Sequence, residues 1–404
     1  MKTSRILIFS LLFISAQSLL AIDNTVEKIL TEESSIQMAL TLNPEILGCS
    51  CGVKNAKERV REAKALRLPT LSVDATFAEF NGRCSSSLVS VPSQTSVSYV
   101  QMDKEEKFSV RPLIWSYIYT GGRISTTIRL ANMDFEKMKM EENANRYKLK
   151  NMIKVIFNDC LYHKALLEYY VSQIKKYKQQ NSQFSNVKLE EFKRKSVIEQ
   201  FNYEKVFLDL LNNIGIELNT IASISGELKP KIKNIDLENC LLLAYQYKHE
   251  LKITQQQEII DGVMLNYLMS MRKYPTISVV AGTEVFIGKG KTCKSVGNKA
   301  KENVYLAINL NWPIWDGGSV FTRIKQGKIK TRKSTIDRVK LENTVRLNIN
   351  KSCLEYDFWK KQAISAKIEE KNGQYDEFDI EIIHKLNKSY YELEFAVGTD
   401  LDSY

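Results

Sequence analysis

Apolar and polar residues alternate along four stretches of the chain, two in each half. The alternation is clear after Pro69, after Pro275 and over 304–312, whereas in 108–119 Arg111 and Pro112 interrupt it. Period-two alternation predicts β-strands with one apolar and one polar face, and a length of about ten residues is typical of an outer-membrane strand. We therefore predict two β-hairpins, at about 69–120 and 275–316.

The two faces of these strands differ in chemistry. The apolar face would carry Leu71, Val73, Phe77, Ile277, Val279, Leu306 and Leu310. The polar face would carry Thr70, Ser72, Asp74, Thr276, Ser278, Asn309 and Asn311. The apolar set could face either lipid or the core of an ordinary sandwich, and alternation alone does not separate these two interpretations.

Helical patterns surround both hairpins. Two amphipathic segments precede each hairpin, and the strand starts Pro69 and Pro275 end them because proline lacks an amide hydrogen and disfavours helix in the residue before it. From Arg123 to Ile214 there is neither glycine nor proline, and from Ser319 to Tyr404 there is no proline. A helix of about 60 residues would be on the order of 90 Å long, so we expect these segments to run as coiled coil.

The plan of one half is repeated in the other. Arg67–Val73 returns as Lys273–Val279, and each strand pair ends in a double glycine, Gly121-Gly122 or Gly317-Gly318. Paired glycines permit the positive φ that a sharp strand-to-helix junction needs. The sequence therefore predicts an internal two-fold repeat. The first structural repeat would span 22–230, including long helices at about 123–228, and the second would span 231–404.

The N-terminus carries an export signal. Lys2 and Arg5 precede the apolar run Ile6–Phe13, and small residues follow, which predicts a signal peptide over 1–21. No later segment approaches 18 unbroken apolar residues, so the sequence does not predict a helical membrane protein.

Charge and candidate chemistry narrow the function further. The net charge of +11 is spread along the helical stretches, which argues for solvated helix surfaces and against nucleic-acid binding. The three histidines are isolated, and we find no catalytic signature, cofactor motif or metal-ligand spacing. Seven cysteines set no disulfide framework, although Cys84 and Cys293 occupy equivalent loops and could pair. We expect no enzyme, no cofactor and no bound metal.

This plan resembles the TolC-like outer-membrane efflux protein family. The resemblance covers nearly the whole mature chain and is most specific at the strand-end double glycines. It is carried by Leu68–Val73, Tyr274–Val279, Leu310–Gly318, Tyr119–Arg123, Ala39–Ile46 and Phe395–Thr399.

The resemblance implies a mixed α and transmembrane β fold. Each protomer of a homotrimer would give four strands to a shared 12-stranded barrel, continued by a long α-helical coiled-coil barrel into the periplasm. The strand count agrees, because four strands cannot close a barrel. The seven polar-face residues would line the pore, and Tyr119, Trp312 and Trp315 would lie at the membrane interface.

By the same resemblance, the chain would be a passive duct in the bacterial outer membrane. It would serve efflux or type I secretion and contact outer-membrane lipid, a periplasmic adaptor and an inner-membrane transporter. The second helical tip, with adaptor-docking and entrance candidates Val397, Gly398, Thr399, Asp400 and Asp402, would come so near the C-terminus that we expect no final return helix.

Two other functions stay open at this point. One is an exported coiled-coil structural or adhesion protein with a small β domain. The other is a truncated paralogue that does not conduct. The sequence does not identify the transported substrate.

Overall fold

The computed structural model describes residues 28–84, 88–91, 94–97, 100–179, 183–289, 301–371, 373 and 375–403. The predicted signal peptide and Cys293 lie outside the described residues. Side chains of 78–84, 88–91, 94–97, 100–108, 183–186, 284, 286–289, 301–303, 369 and 403 are likewise not described.

The described elements follow the same order in each half of the chain: two helices, two long strands and two helices. The helices are α1 (Glu32–Leu42), α2 (Pro44–Ala65), α3 (Arg123–Lys178), α4 (Gln183–Ile214), α5 (Leu237–Tyr247), α6 (His249–Lys273), α7 (Ser319–Ser365) and α8 (Glu377–Val397). The strands are β1 (Lys28–Leu30), β2 (Thr70–Cys84), β3 (Leu88–Val91), β4 (Gln94–Val97), β5 (Val100–Tyr119), β6 (Ala222–Ile224), β7 (Thr276–Lys289) and β8 (Lys301–Asn311). Short 3-10 turns occur at Ile368–Lys371 and Leu401–Ser403.

The chain divides into two compact units. The first contains the described residues up to Pro44, together with Lys148–Ile235 and Ser352–Phe395. The second contains Glu45–Tyr147, Asp236–Lys351 and the described residues from Ala396 onward. None of the described helices combines the length and apolar character that crossing a bilayer requires.

The first unit is a helical bundle with the short parallel β1–β6 pair at its side. Its core is apolar and includes Ile153, Phe157, Leu210, Ile383 and Leu386. A buried ion pair joins Lys154 Nζ to Glu394 Oε2 at 2.7 Å. Such a pair requires both partners, because removing either leaves a buried charge uncompensated.

The expectation that the chain lacks a return helix is wrong. After α7 ends at Ser365, the chain turns through 366–376 and returns as α8. The two helices are antiparallel: the rings of Tyr356 and Tyr390 lie 5.8 Å apart, and Lys385 Nζ lies 4.8 Å from the Trp359 ring. The amide of Asp379 donates to the Asp376 carboxylate at 2.8 Å, which caps the start of α8.

The second unit contains a four-stranded antiparallel sheet with strand order β2-β5-β7-β8. Its register aligns Thr70 with Trp115, Trp115 with Val280, and Val280 with Ala307. Although β5 contains Pro112, it pairs continuously with β2 there, whereas its pairing with β7 lapses at Arg111 and Pro112 and shifts register between Tyr117 and Tyr119. A proline has no amide hydrogen to donate to a neighbouring strand.

The double glycines occupy the strand-to-helix junctions. Gly121 and Gly122 adopt φ of 60° and 79°, and Gly317 and Gly318 adopt φ of 69° and 84°. At the second junction the Asp316 carboxylate accepts hydrogen bonds from the amides of Gly318 and Val320, at 3.2 and 2.8 Å. The backbone therefore reverses from strand to helix at a position where only glycine is free of strain.

Candidate functional site

The register of the sheet sorts its side chains into two faces, because residues paired across antiparallel strands point to the same side. We define the apolar face as the side that carries Leu71, Val73, Phe77, Ile114, Ile277, Val279, Val304, Leu306, Ile308 and Leu310. Leu71, Val304 and Leu310 are 70%, 79% and 64% exposed. Monomeric soluble proteins rarely expose a contiguous apolar surface of this kind. We therefore expect another apolar surface or medium to shield this face from water.

The opposite side, the polar face, holds all seven residues predicted to line a pore. Thr70, Ser72 and Asp74 lie on β2, aligned with Trp115, Leu113 and Arg111 of β5. On the other hairpin, Thr276 aligns with Asn311, and Ser278 with Asn309. Hydroxyl and amide groups from three strands therefore share one surface.

The polar face also carries bulky residues that were not predicted for it, among them Leu113, Trp115, Val280 and Tyr305. Leu113 and Trp115 come from β5, where Arg111 and Pro112 obscure the alternation. Val280 falls within an apolar run on β7, and Tyr305 is an aromatic residue between Val304 and Leu306. The cross-strand pairs Trp115–Val280 and Gly282–Tyr305 would have assigned them to this face, but register cannot be read from a single strand.

Two edges of the sheet are open within the described strands. β2 pairs only with β5, and β8 pairs only with β7. An edge strand presents backbone N–H and C=O groups that pair readily with another strand. The sheet can therefore extend on both sides.

Aromatic residues cluster where the long strands end. Tyr119 ends β5, Trp312 follows β8, and Trp315 lies just beyond at 78% exposure. Aromatic rings with a polar group are enriched where a membrane meets water.

The predicted second tip lies elsewhere in the structure, and its assignment to Val397, Gly398, Thr399, Asp400 and Asp402 is corrected here. Val397 is the buried last residue of α8, and Gly398 follows it with φ of 89°. A Cβ on Gly398 would lie 2.9 Å from the Cα of Lys248, which is buried between α5 and α6. The glycine therefore ends the return helix, and the helical hairpins are formed by α3 with α4 and by α7 with α8.

The histidines serve helix packing. The His163 ring bonds Glu199 at 2.6 Å, and the His384 ring bonds Asp159 at 2.7 Å while stacking on Tyr162. Burial, and then the nearby Lys252 and Lys248, lower the pKa of His249. Across the part of the chain that the structure describes, no group of three or more His, Cys, Asp or Glu side chains is arranged to hold a metal ion.

Neither a family model nor a curated protein matches the sequence. Solved structures do match it. A membrane protein from Pseudomonas aeruginosa has a TM-score of 0.68 at 13% identity, over 92% of this chain and 91% of its own. CusC, whose structures concern transmembrane channel formation, has a TM-score of 0.67 at 11% identity, over 91% and 92%.

The CmeC outer membrane channel of Campylobacter jejuni has a TM-score of 0.61 at 15% identity, over 91% of this chain and 85% of its own. These identities are low, and the likeness extends along almost the full length of each chain. The chain therefore shares the fold of these outer-membrane channel proteins, and the resemblance to the TolC-like family is confirmed at the level of the fold. The trimeric 12-stranded barrel and the internal repeat stay predictions.

Proposed function

We propose that this chain is one of three identical subunits of an outer-membrane channel. One observation carries the proposal: a four-stranded sheet with an exposed apolar face, a polar opposite face and two open edges. In a barrel the apolar face meets lipid, the polar face meets a water-filled lumen, and edge pairing between subunits removes the open edges.

The strand count supports three subunits. Four strands are too few for a barrel, and eight give an interior only wide enough for side chains to fill. Three copies related by a closed three-fold rotation give 12 strands with an aqueous lumen. Closed point-group symmetry is the rule for soluble homo-oligomers, and the family resemblance implies three copies.

The helices continue the duct on the periplasmic side in this proposal. The channel serves efflux or type I secretion and acts with two partners, a periplasmic adaptor and an inner-membrane transporter. The energy for transport comes from these partners, because the channel itself is passive. We move the adaptor-docking site from residues 397–402 to the ends of the two helical hairpins, at the C-termini of α3 and α7, because Val397 is buried and Gly398 packs against the α5–α6 junction.

We also infer that the two halves arose by duplication. The order of elements supports this, and so do the ends of the return helices. Gly215 follows α4 with φ of 85°, and a Cβ there would lie 2.9 Å from the Leu42 carbonyl oxygen at the α1–α2 junction. Gly398 has the same relation to Lys248 at the α5–α6 junction.

The test uses the full chain with its export signal. Membrane fractionation should recover it with outer membrane, gel electrophoresis should show a heat-modifiable trimer, and planar bilayers should show single-channel conductance. Release into a soluble fraction without detergent would instead favour an exported coiled-coil structural protein. A trimer in the outer membrane that passes no current would favour the non-conducting paralogue.

A further inference from the structure

Two adjacent cross-strand rows on the polar face are built differently from the rest of that face. The first row runs Ser72, Leu113, Gly282, Tyr305, and the second runs Thr70, Trp115, Val280, Ala307. Next to them, the row Tyr117, Ser278, Asn309 is again mostly polar. The bulky residues therefore form one band across β5, β7 and β8.

The band is closely packed. Leu113 and Val280 are only 4% and 5% exposed, although all seven residues predicted for this face have polar side chains. A Cβ on Gly282 would lie 2.7 Å from Leu113 Cδ2 and 3.2 Å from Tyr305 Oη. Leu113 and Tyr305 thus approach each other across Gly282, which has no side chain.

Trp115 extends the band along β5. Its ring contacts that of Tyr117 edge to face, with centroids 5.1 Å apart and planes at 89°. This geometry is favourable for aromatic pairs and fixes the orientation of the indole. The band therefore presents ordered bulky groups between the row of Asp74 and Arg111 on one side and the row that contains Ser278 and Asn309 on the other.

We propose that Leu113, Trp115, Val280 and Tyr305 form an apolar collar that narrows the lumen of the assembled barrel. This inference rests on the proposed function, because only a closed barrel turns the polar face into a lumen wall. In a trimer the band occurs three times around one level of the lumen. Bulky apolar groups at such a level reduce the open cross-section and weaken the hydration of passing ions, as hydrophobic constrictions in channels do.

Trp115→Ala tests the collar by single-channel recording of the full-length trimer in planar bilayers. We expect its conductance to rise by about 1.5-fold or more, because the largest group of the collar is removed. Trp115→Phe, which keeps an aromatic ring, should restore most of the wild-type value. Ile114→Ala is the matched control, since Ile114 is the next residue on the same strand and lies on the apolar face.

The outcomes separate the collar from the channel itself. A conducting wild type with unchanged conductance in Trp115→Ala overturns the collar and leaves the proposed function standing, whereas a wild type without current overturns both. A purely structural role for Trp115 would lower trimer yield without raising current. If Trp115→Ala does not assemble, Tyr305→Ser must raise the conductance, and an unchanged value there overturns the collar.

Discussion

Asp261 shows how single residues hold the second unit together. This buried carboxylate on α6 accepts hydrogen bonds from Lys330 at 2.8 Å and from Gln257 at 3.1 Å, and it also bonds the Ser334 hydroxyl of α7. Burial raises its pKa, but the hydrogen bonds from Lys330, Ser334 and Gln257 outweigh burial and hold the pKa below its usual 3.8. The cluster ties α6 to α7 as long as the carboxylate is ionised.

This gives a pH prediction. A carboxylate with a lowered pKa stabilises the fold above its unfolded-state pKa, and that stability is lost as the pH falls through its folded-state pKa. We expect Asp261→Asn to cost about 2 kcal/mol at pH 7 and to lose less stability than the wild type below about pH 4. Thermal unfolding followed by circular dichroism from pH 7 to pH 2 measures both effects.

The control is Glu58→Gln, which breaks the exposed pair between Glu58 and Arg61 on α2. Exposed pairs contribute little, so this change should stay within about 0.5 kcal/mol. Parallel pH profiles for wild type and Asp261→Asn would refute the role assigned to Asp261.

At the scale of elements, the sequence predicted the strands, their faces and the long helices, because those depend on periodicity within one segment. It failed at α8. Asn372-Gly373 and the capping residue Asp376 mark a turn and a helix start, but Gly398 was taken for the turn because it matched an expected tip. A glycine can be assigned to the end of a particular helix only from what it packs against. Gly398 packs against Lys248, which lies about 150 residues earlier in the chain.

Gly398→Ala should therefore destabilise the protein through both strain and steric contact. The substitution forces a side chain into φ of 89° and places its Cβ 2.9 Å from backbone, for which we expect a loss of about 3 kcal/mol. Gly373→Ala is the matched control: its φ is 86°, and a Cβ there would meet no atom of the described residues within 4 Å beyond its chain neighbours, so only the strain of about 1 kcal/mol applies. Equal thermal midpoints for the two variants would contradict the close packing at Gly398.

At the scale of the whole molecule, the chain has an amphipathic sheet that is incomplete by itself. Its seven polar-face residues could be predicted from alternation, since each strand carries its own pattern. The collar could not, because it depends on the register of β5 with the β7–β8 hairpin, and α3 to α6 separate β5 from that hairpin along the sequence. Sequence patterns thus gave the chemistry of each face, and only strand pairing showed what lies side by side.

A matched pair of substitutions tests which face meets lipid. Val279→Lys places a charge on the apolar face and should reduce the yield of outer-membrane trimer, because a lysine facing lipid costs each subunit from about 0–1 kcal/mol near the interface to about 2–4 kcal/mol at the bilayer midplane. Ser278→Lys, one residue earlier on the polar face, should leave the trimer yield near wild type. Heat-modifiable trimer recovered from outer membranes is the measurement, and equal yields would exclude the assignment of faces.

Because the sheet has two open edges, each subunit of the proposed barrel would pair with both of its neighbours, through β2 on one side and β8 on the other. A single subunit with a defective β2 or β8 would therefore leave the barrel open even when the other two subunits are wild type. We expect an allele that encodes such a subunit to be dominant. If wild-type and defective subunits are produced equally and assemble at random, only about one trimer in eight consists of three wild-type subunits.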